Sequence, residues 1–106
     1  MTDKELLECA ARAAGINRYY YEYLGEWGMI EDDPESGWWN PLTDDGDALR
    51  LLAKLRMSVI FPTAIGRDFI EVRGISQHKE TLFDDLNGAV RRAIVRAAAE
   101  IGKKMI

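Results

Sequence analysis

The order in which helical and strand-like patterns alternate constrains this chain more than any other feature. Apolar residues recur at helical spacing in three segments, and the stretches between them contain short runs typical of strands. The order helix, hairpin, helix, hairpin, helix predicts an α+β fold. We expect three helices packed on a small, largely antiparallel four-stranded sheet built from the two hairpins. Because the chain has 106 residues, we expect residues 1–106 to form a single domain.

The first and last helices have the clearest sequence signals. Thr2 and Glu5 have the spacing of a capping box and Gly15 supplies a stop, so a helix is predicted over residues 3–14. The last helix is predicted over about residues 85–104. Its apolar residues recur at helical spacing and are expected in the core: Leu86, Val90, Ala93, Ile94, Ala97 and Ile101.

The second helix is predicted to follow Pro41, with Thr43, Asp44 or Asp45 as its N-cap. Two residues, Leu49 and Ala53, widen its apolar stripe. An apolar arc this wide suits a helix that is covered on more than one side. The main stripe comprises Ala48, Leu51, Leu52 and Leu55.

Four segments favour strands because they are rich in aromatic or β-branched residues. The first hairpin is expected to join residues 17–24, which hold four tyrosines, to residues 27–31. The second is expected to join a buried strand at residues 57–61 to a strand at residues 67–73. Residues 74–81 are polar and are predicted to form a loop, with a short edge strand as the alternative.

The cysteine usage and the hydropathy pattern point to the cytoplasm. Cys9 is the only cysteine, which excludes a disulfide and a thiolate metal cluster within one chain. Charged residues at positions 3–5 interrupt any signal-peptide pattern. The longest uncharged run, residues 57–66, is too short to cross a membrane. We therefore expect a cytoplasmic protein without membrane contact.

The net charge of −4 is unevenly distributed along the chain. There is no lysine or arginine between Arg18 and Arg50, an interval that also holds the tyrosines and tryptophans. The basic residues and the aromatic residues thus lie in different parts of the sequence, and this separation disfavours direct binding of nucleic acid. Nine acids fall in the interval: Glu22, Glu26, Glu31, Asp32, Asp33, Glu35, Asp44, Asp45 and Asp47.

Two stretches resemble a known family. Residues 39–51, with the sequence WNPLTDDGDALRL, resemble a signature of small, mostly uncharacterised proteins of tailed phages and prophages. Residues 91–102 are similar to the closing helix of that family, and residues 1–7 also fit. The family is associated with the label phage ABA sandwich domain. The resemblance implies a phage or prophage source and a sheet between helix layers (an α/β/α sandwich), and it implies no established activity.

The acids around the second helix invite a metal hypothesis. Asp44, Asp45 and Asp47 lack the alternating ligand pattern of a calcium loop. Helix capping and the helix dipole explain acids at a helix start without a metal, and this is the favoured interpretation. A magnesium site that adds the acids of residues 32–35 is likewise less favoured than an acidic surface loop. His78 lacks a nucleophile motif and is expected at the surface, and Cys9 is expected to be a small core residue. We expect no catalytic, cofactor-binding or metal-binding residue.

Trp38 and Trp39 are adjacent, so their side chains point to opposite sides of an extended segment. We expect Trp39, which belongs to the phage-like signature, to enter the core. We expect Trp38 at the surface near the acidic loop. An exposed tryptophan beside acids can anchor a protein interface. The candidate protein-binding surface therefore comprises Trp38, Asp32, Asp33 and Glu35.

These observations favour a non-enzymatic phage accessory protein that acts by binding a host or phage protein, or by self-association. One alternative is an acidic mimic of nucleic acid that inhibits a host DNA-binding factor. A second is a small metal-dependent hydrolase that uses the acids near the second helix.

Overall fold

The computed structural model describes residues 2–15, 19–23, 26–30, 38–61, 69–74, 77–81 and 86–105. They form three helices: α1 (Asp3–Ala14), α2 (Asp45–Lys54) and α3 (Leu86–Lys103). The strands are β1 (Tyr19–Tyr23), β2 (Glu26–Ile30), β3 (Trp38–Trp39), β4 (Ser58–Ile60), β5 (Phe69–Arg73) and β6 (Gln77–Thr81). The three helices agree with the sequence prediction.

The ends of α1 are formed by the residues that the sequence indicates. The hydroxyl of Thr2 accepts a hydrogen bond from the Glu5 amide at 3.2 Å, which satisfies a donor at the helix start. Gly15 has a φ of 69°, and its N–H donates to carbonyls of the last turn. This left-handed conformation is one that glycine adopts without steric cost.

The start of α2 is also as predicted, whereas its end and its exposed face are not. Asp44 is the N-cap, and its carboxylate accepts from the Asp47 amide at 2.7 Å. The helix ends in a Schellman motif with Arg56, rather than a glycine, in the left-handed conformation at φ 53°. Leu49 and Ala53 are exposed, so the predicted wide buried arc is wrong.

The apolar stripe of α3 lies in the core along its middle. Ala93, Ile94 and Ala97 are buried, which confirms that part of the prediction. The stripe leaves the core at the helix start, where Leu86 is exposed.

The four-stranded sheet predicted from the sequence is wrong. The described strands form two separate three-stranded antiparallel sheets, in the orders β1-β2-β3 and β4-β5-β6. Both predicted hairpins are present, as the β1–β2 and β4–β5 pairs. Each gains a short third strand instead of joining the other hairpin. The class is still α+β, with three helices.

The strands that change the topology are the two with the weakest sequence signals. β3 consists of two residues and pairs Trp39 with Met29, so it is too short to show an alternating pattern. β6 is wholly polar, and its residues were predicted to form a loop. The alternative of an edge strand is correct there. Because a polar strand can lie at the edge of a sheet, composition alone does not exclude it.

The helices pack in a pair, and each member of the pair contacts a different sheet. α1 lies against α3 in the same direction, since Asp3 pairs with Arg92 at 3.4 Å and Arg12 donates to the Gly102 carbonyl at 3.3 Å. α1 contacts β1 and β2, whereas α3 contacts β5, β6 and α2. The expected single sheet between two helix layers is therefore also wrong.

The middle strand of the second sheet is buried on both faces. Ile70 and Val72 lie on one face and are completely buried, and Glu71 on the other is only 3% exposed. The Glu71 carboxylate pairs with Arg73 at 2.7 Å, which offsets part of the cost of burying its charge. The neighbouring β4 is not the buried strand expected from the sequence, because Ser58 is exposed. None of the helices in the described part of the chain is long and apolar enough to cross a membrane.

Candidate protein-binding surface

A buried hydrogen-bond network fixes the segment that leads into α2. The carboxylate of Asp47 accepts from the backbone N–H of Asn40 at 3.0 Å, and the side-chain oxygen of Asn40 accepts from the Leu42 amide at 3.0 Å. The Asn40 carbonyl accepts from the amides of Thr43 and Asp44. Because Asn40 and Asp47 are both buried, these bonds replace the water that their polar groups lose on folding.

The same network accounts for the acids that suggested a metal. Asp47 also pairs with Arg50 at 2.7 Å, Asp44 caps the helix, and Asp45 pairs with Arg91 at 2.6 Å. Each carboxylate therefore has a donor or a cation of its own. In the part of the chain that the structure describes, no three His, Cys, Asp or Glu side chains come together as metal ligands. The prediction that helix capping involves these acids is confirmed for Asp44.

Arg91 joins the start of α2 to α3. Its Nε donates to the Leu42 carbonyl at 2.9 Å, and its Nη1 contacts the Asp45 carboxylate. The guanidinium thus holds both the turn before α2 and its first residue in place. Two nitrogens of one rigid group bind two different acceptors, which ties the start of α2 to α3.

An apolar groove opens beside this Arg91–Asp45 pair, between α2, β4 and the first half of α3. We call it the α2 groove, and its volume is about 300 Å³. Its large apolar lining residues are Leu49, Leu52, Val59, Phe61, Val90 and Ile94.

Two large side chains of the α2 groove are strongly exposed. Leu49 is 64% exposed and Phe61 is 51% exposed. Leu86, at the start of α3, is 49% exposed. Single exposed apolar residues are common on protein surfaces, but exposed residues grouped around a concave apolar site mark an interaction surface.

The surface predicted from the sequence falls almost wholly outside the described residues. Trp39 is 4% exposed and belongs to the core, as predicted. The backbone of Trp38 forms part of β3, but its side chain and residues 32–35 lie outside the described residues. The predicted surface of Trp38, Asp32, Asp33 and Glu35 therefore stays a prediction.

The remaining singled-out residues have structural places. Cys9 is half-buried and packs against the core, so its assignment as a small core residue is confirmed in part. The backbone of His78 lies in β6 opposite Val72, in a strand rather than in the loop that the sequence suggested. The position of its side chain is outside the described residues.

The α2 groove was missed at the level of sequence, although its signal was present. Leu49 lies beyond the main stripe of α2, and we interpreted that excess as extra burial. A helix with more apolar surface than its core requires can equally carry a binding face.

Comparison with known protein families, curated proteins and solved structures finds no match for this chain. The resemblance of residues 39–51 and 91–102 to a phage family therefore stays a prediction. The contacts described above give the polar residues of that signature a structural role, since Asn40, Asp44 and Asp47 build the start of α2.

Proposed function

We propose that this chain is a non-enzymatic protein-binding domain whose α2 groove receives the apolar face of a helix from a protein partner. The observation that carries the proposal is the exposure of Leu49 and Phe61 around a concave apolar site. Helices commonly bind to proteins by laying an amphipathic face into such a groove. The resemblance of residues 39–51 to a phage signature supports a phage or prophage setting for this activity.

The charges along α2 define the chemistry of the partner. Acids lie at its start, at Asp44 and Asp45, and bases follow at Lys54 and Arg56. A helix that lies along α2 is therefore matched best when a base faces the start of α2 and an acid faces its end. A partner helix with acids at its own start and bases at its own end meets this condition when it lies antiparallel to α2.

Neither alternative function is supported by the described carboxylates. Asp47 is buried and paired with Arg50, which leaves Asp44 and Asp45 as the exposed acids at the start of α2. Two adjacent carboxylates do not make the row of phosphate-like charges that a nucleic-acid mimic presents. A hydrolase would need carboxylates that converge on a metal, whereas Asp44 and Asp47 contact the guanidinium of Arg50 and Asp45 contacts that of Arg91.

Site-specific photo-crosslinking tests the proposal. A photoreactive phenylalanine analogue at position 49 should form adducts with protein in cells that produce the chain. The same analogue at position 105 is the matched control, because Met105 is exposed and apolar but lies outside the α2 groove. The crosslinked peptide should be a helical segment with apolar residues at spacings of three and four.

The companion variant is Leu52→Lys, which places a charge in the α2 groove and should suppress the adduct formed from position 49. Adducts from position 38 without adducts from position 49 would contradict the proposal and favour the surface predicted from the sequence. Equal adducts from positions 49 and 105 would also contradict it, because they would indicate nonspecific contact.

A further inference from the structure

We infer that the occupant of the α2 groove is a second copy of this chain, paired through antiparallel α2 helices about a two-fold axis. This inference rests on the proposed function, because it names the partner that the same groove binds. The order of residues along the exposed face of α2 supports this pairing.

The exposed face of α2 combines charge and apolar surface in a fixed order. Asp45, Leu49 and Ala53 are each exposed and are spaced four residues apart, so they lie on one side of the helix. Arg56 follows in the turn after the helix and is also exposed. The face therefore has an acid at one end, a large and a small apolar residue in the middle, and a base at the other end.

An antiparallel pair of α2 helices matches this face with itself. When Asp45 lies opposite Arg56 of the partner subunit, the two-fold axis also places Leu49 opposite Leu52 of the partner subunit. Leu52 lines the α2 groove, so each subunit inserts its exposed leucine into the groove of the other. Such an interface is isologous and closes at two copies.

The geometry of the remaining contacts favours the same arrangement. Ala53 is small, so two helices can approach closely at this point. Antiparallel helices place opposite ends of their dipoles side by side, whereas parallel ones would bring Asp45 against Asp45 of the partner subunit. The bond between Asp45 and Arg91 does not prevent the second contact, because a carboxylate accepts from more than one donor.

Sedimentation equilibrium of the purified full chain tests the inference. The wild type should show a reversible monomer–dimer equilibrium that weakens as salt rises, since charge pairs contribute to it. Leu49→Lys should raise the dimer dissociation constant by at least about tenfold. Met105→Lys makes the same kind of change on an apolar residue outside the α2 groove and should leave the constant unchanged.

A charge exchange tests the orientation. Arg56→Glu puts two acids together at each end of the dimer, and Asp45→Lys puts two bases together, so each variant alone should be monomeric. A mixture of the two restores an acid opposite a base at both ends and should form a heterodimer. Circular dichroism of each variant confirms that it is folded. If Asp45→Lys is unfolded, Asp45→Asn replaces it. This variant puts no like charges together, so it should dimerise more weakly than the wild type, and mixing it with Arg56→Glu should draw that monomeric variant into a heterodimer with one acid–base pair. A mixture that leaves Arg56→Glu monomeric would contradict the orientation.

The failure of this inference can be told from that of the proposed function. A wild type that stays monomeric at all concentrations, or a dimer that is indifferent to Leu49→Lys, overturns the inference. Folded charge variants that do not associate on mixing also overturn it. In those cases a crosslink from position 49 to a different protein would still support the proposed function. If position 49 forms no crosslink at all, the proposed function and the dimer are both contradicted.

Discussion

Gly102 of α3 packs directly on the backbone of Cys9 in α1. A Cβ atom at position 102 would overlap the Cys9 carbonyl oxygen and would lie 2.6 Å from the carbonyl carbon. The neighbours are backbone atoms, so they cannot yield as the end of a flexible side chain would. Glycine at this position is therefore what allows the two longest helices to approach each other.

Gly102→Ala should lower the free energy of unfolding by about 2 kcal/mol or more, because the helices must separate to admit a methyl group. At an exposed position inside a helix, the same change would raise the free energy of unfolding by up to about 1 kcal/mol. Urea unfolding measures the difference. Gly46→Ala is the matched control, since the nearest atoms there are ends of the Arg50 and Asp44 side chains. A neutral or stabilising Gly102→Ala would contradict the close packing.

Asp47 should matter for stability because its carboxylate satisfies the buried amide of Asn40. Asp47→Ala removes this acceptor from a buried donor and should cost about 1–3 kcal/mol. Asp47→Asn retains an oxygen acceptor and should recover part of the loss. Denaturation curves of the wild type and the two variants separate these outcomes. An Asp47→Ala protein as stable as the wild type would show that the hydrogen bond to Asn40 does not contribute to stability.

Arg56 should be replaceable by glycine with a gain in stability. Its φ of 53° lies in the left-handed region, where a side chain is strained and glycine is not. We expect Arg56→Gly to raise the free energy of unfolding by about 0.5–1 kcal/mol. Because dimerisation also stabilises a fold, the measurement belongs at a concentration where the chain is monomeric. The same variant should associate more weakly, because it lacks the base that pairs with Asp45 of the partner subunit. A loss of stability in the monomer would contradict the strain attributed to the left-handed backbone of Arg56.

Trp39 should be essential for folding. It is buried in the core, so Trp39→Ala should lower the free energy of unfolding by about 3–5 kcal/mol. The sequence predicts that Trp38→Ala costs less than about 1 kcal/mol, since that side chain is expected at the surface. Equal losses for the two variants in urea unfolding would place both side chains in the core.

The parts of the fold that follow from local rules could be predicted from the sequence. The cap at Thr2 and the stop at Gly15 act within one helical turn, so their spacing identifies them, and the same rules narrow the cap of α2 to three candidates that include Asp44. The stop after α2 could not be found in this way, because Arg56 takes a conformation that usually indicates glycine. The pairing of β3 with β2 is a tertiary event between short segments, and periodicity does not specify it.

The binding surface was less predictable than the fold for a related reason. The apolar pattern of α2 includes Leu49, but it does not show whether this side chain packs within the same chain or contacts another protein. Only the packing of α2 against α3 shows that Leu49 is left exposed. The aromatic residues drew attention to Trp38 instead, because large rings dominate known interfaces.

Urea unfolding of Leu49→Lys, at a concentration where the wild type is monomeric, tests whether Leu49 belongs to a binding surface or to the core. If Leu49 belongs to a binding surface, lysine at this position should change the free energy of unfolding by no more than about 0.5 kcal/mol, because an exposed side chain is replaced by another. A loss of about 2 kcal/mol or more would instead place Leu49 in the core of the folded monomer, and the α2 groove would then not be a binding surface.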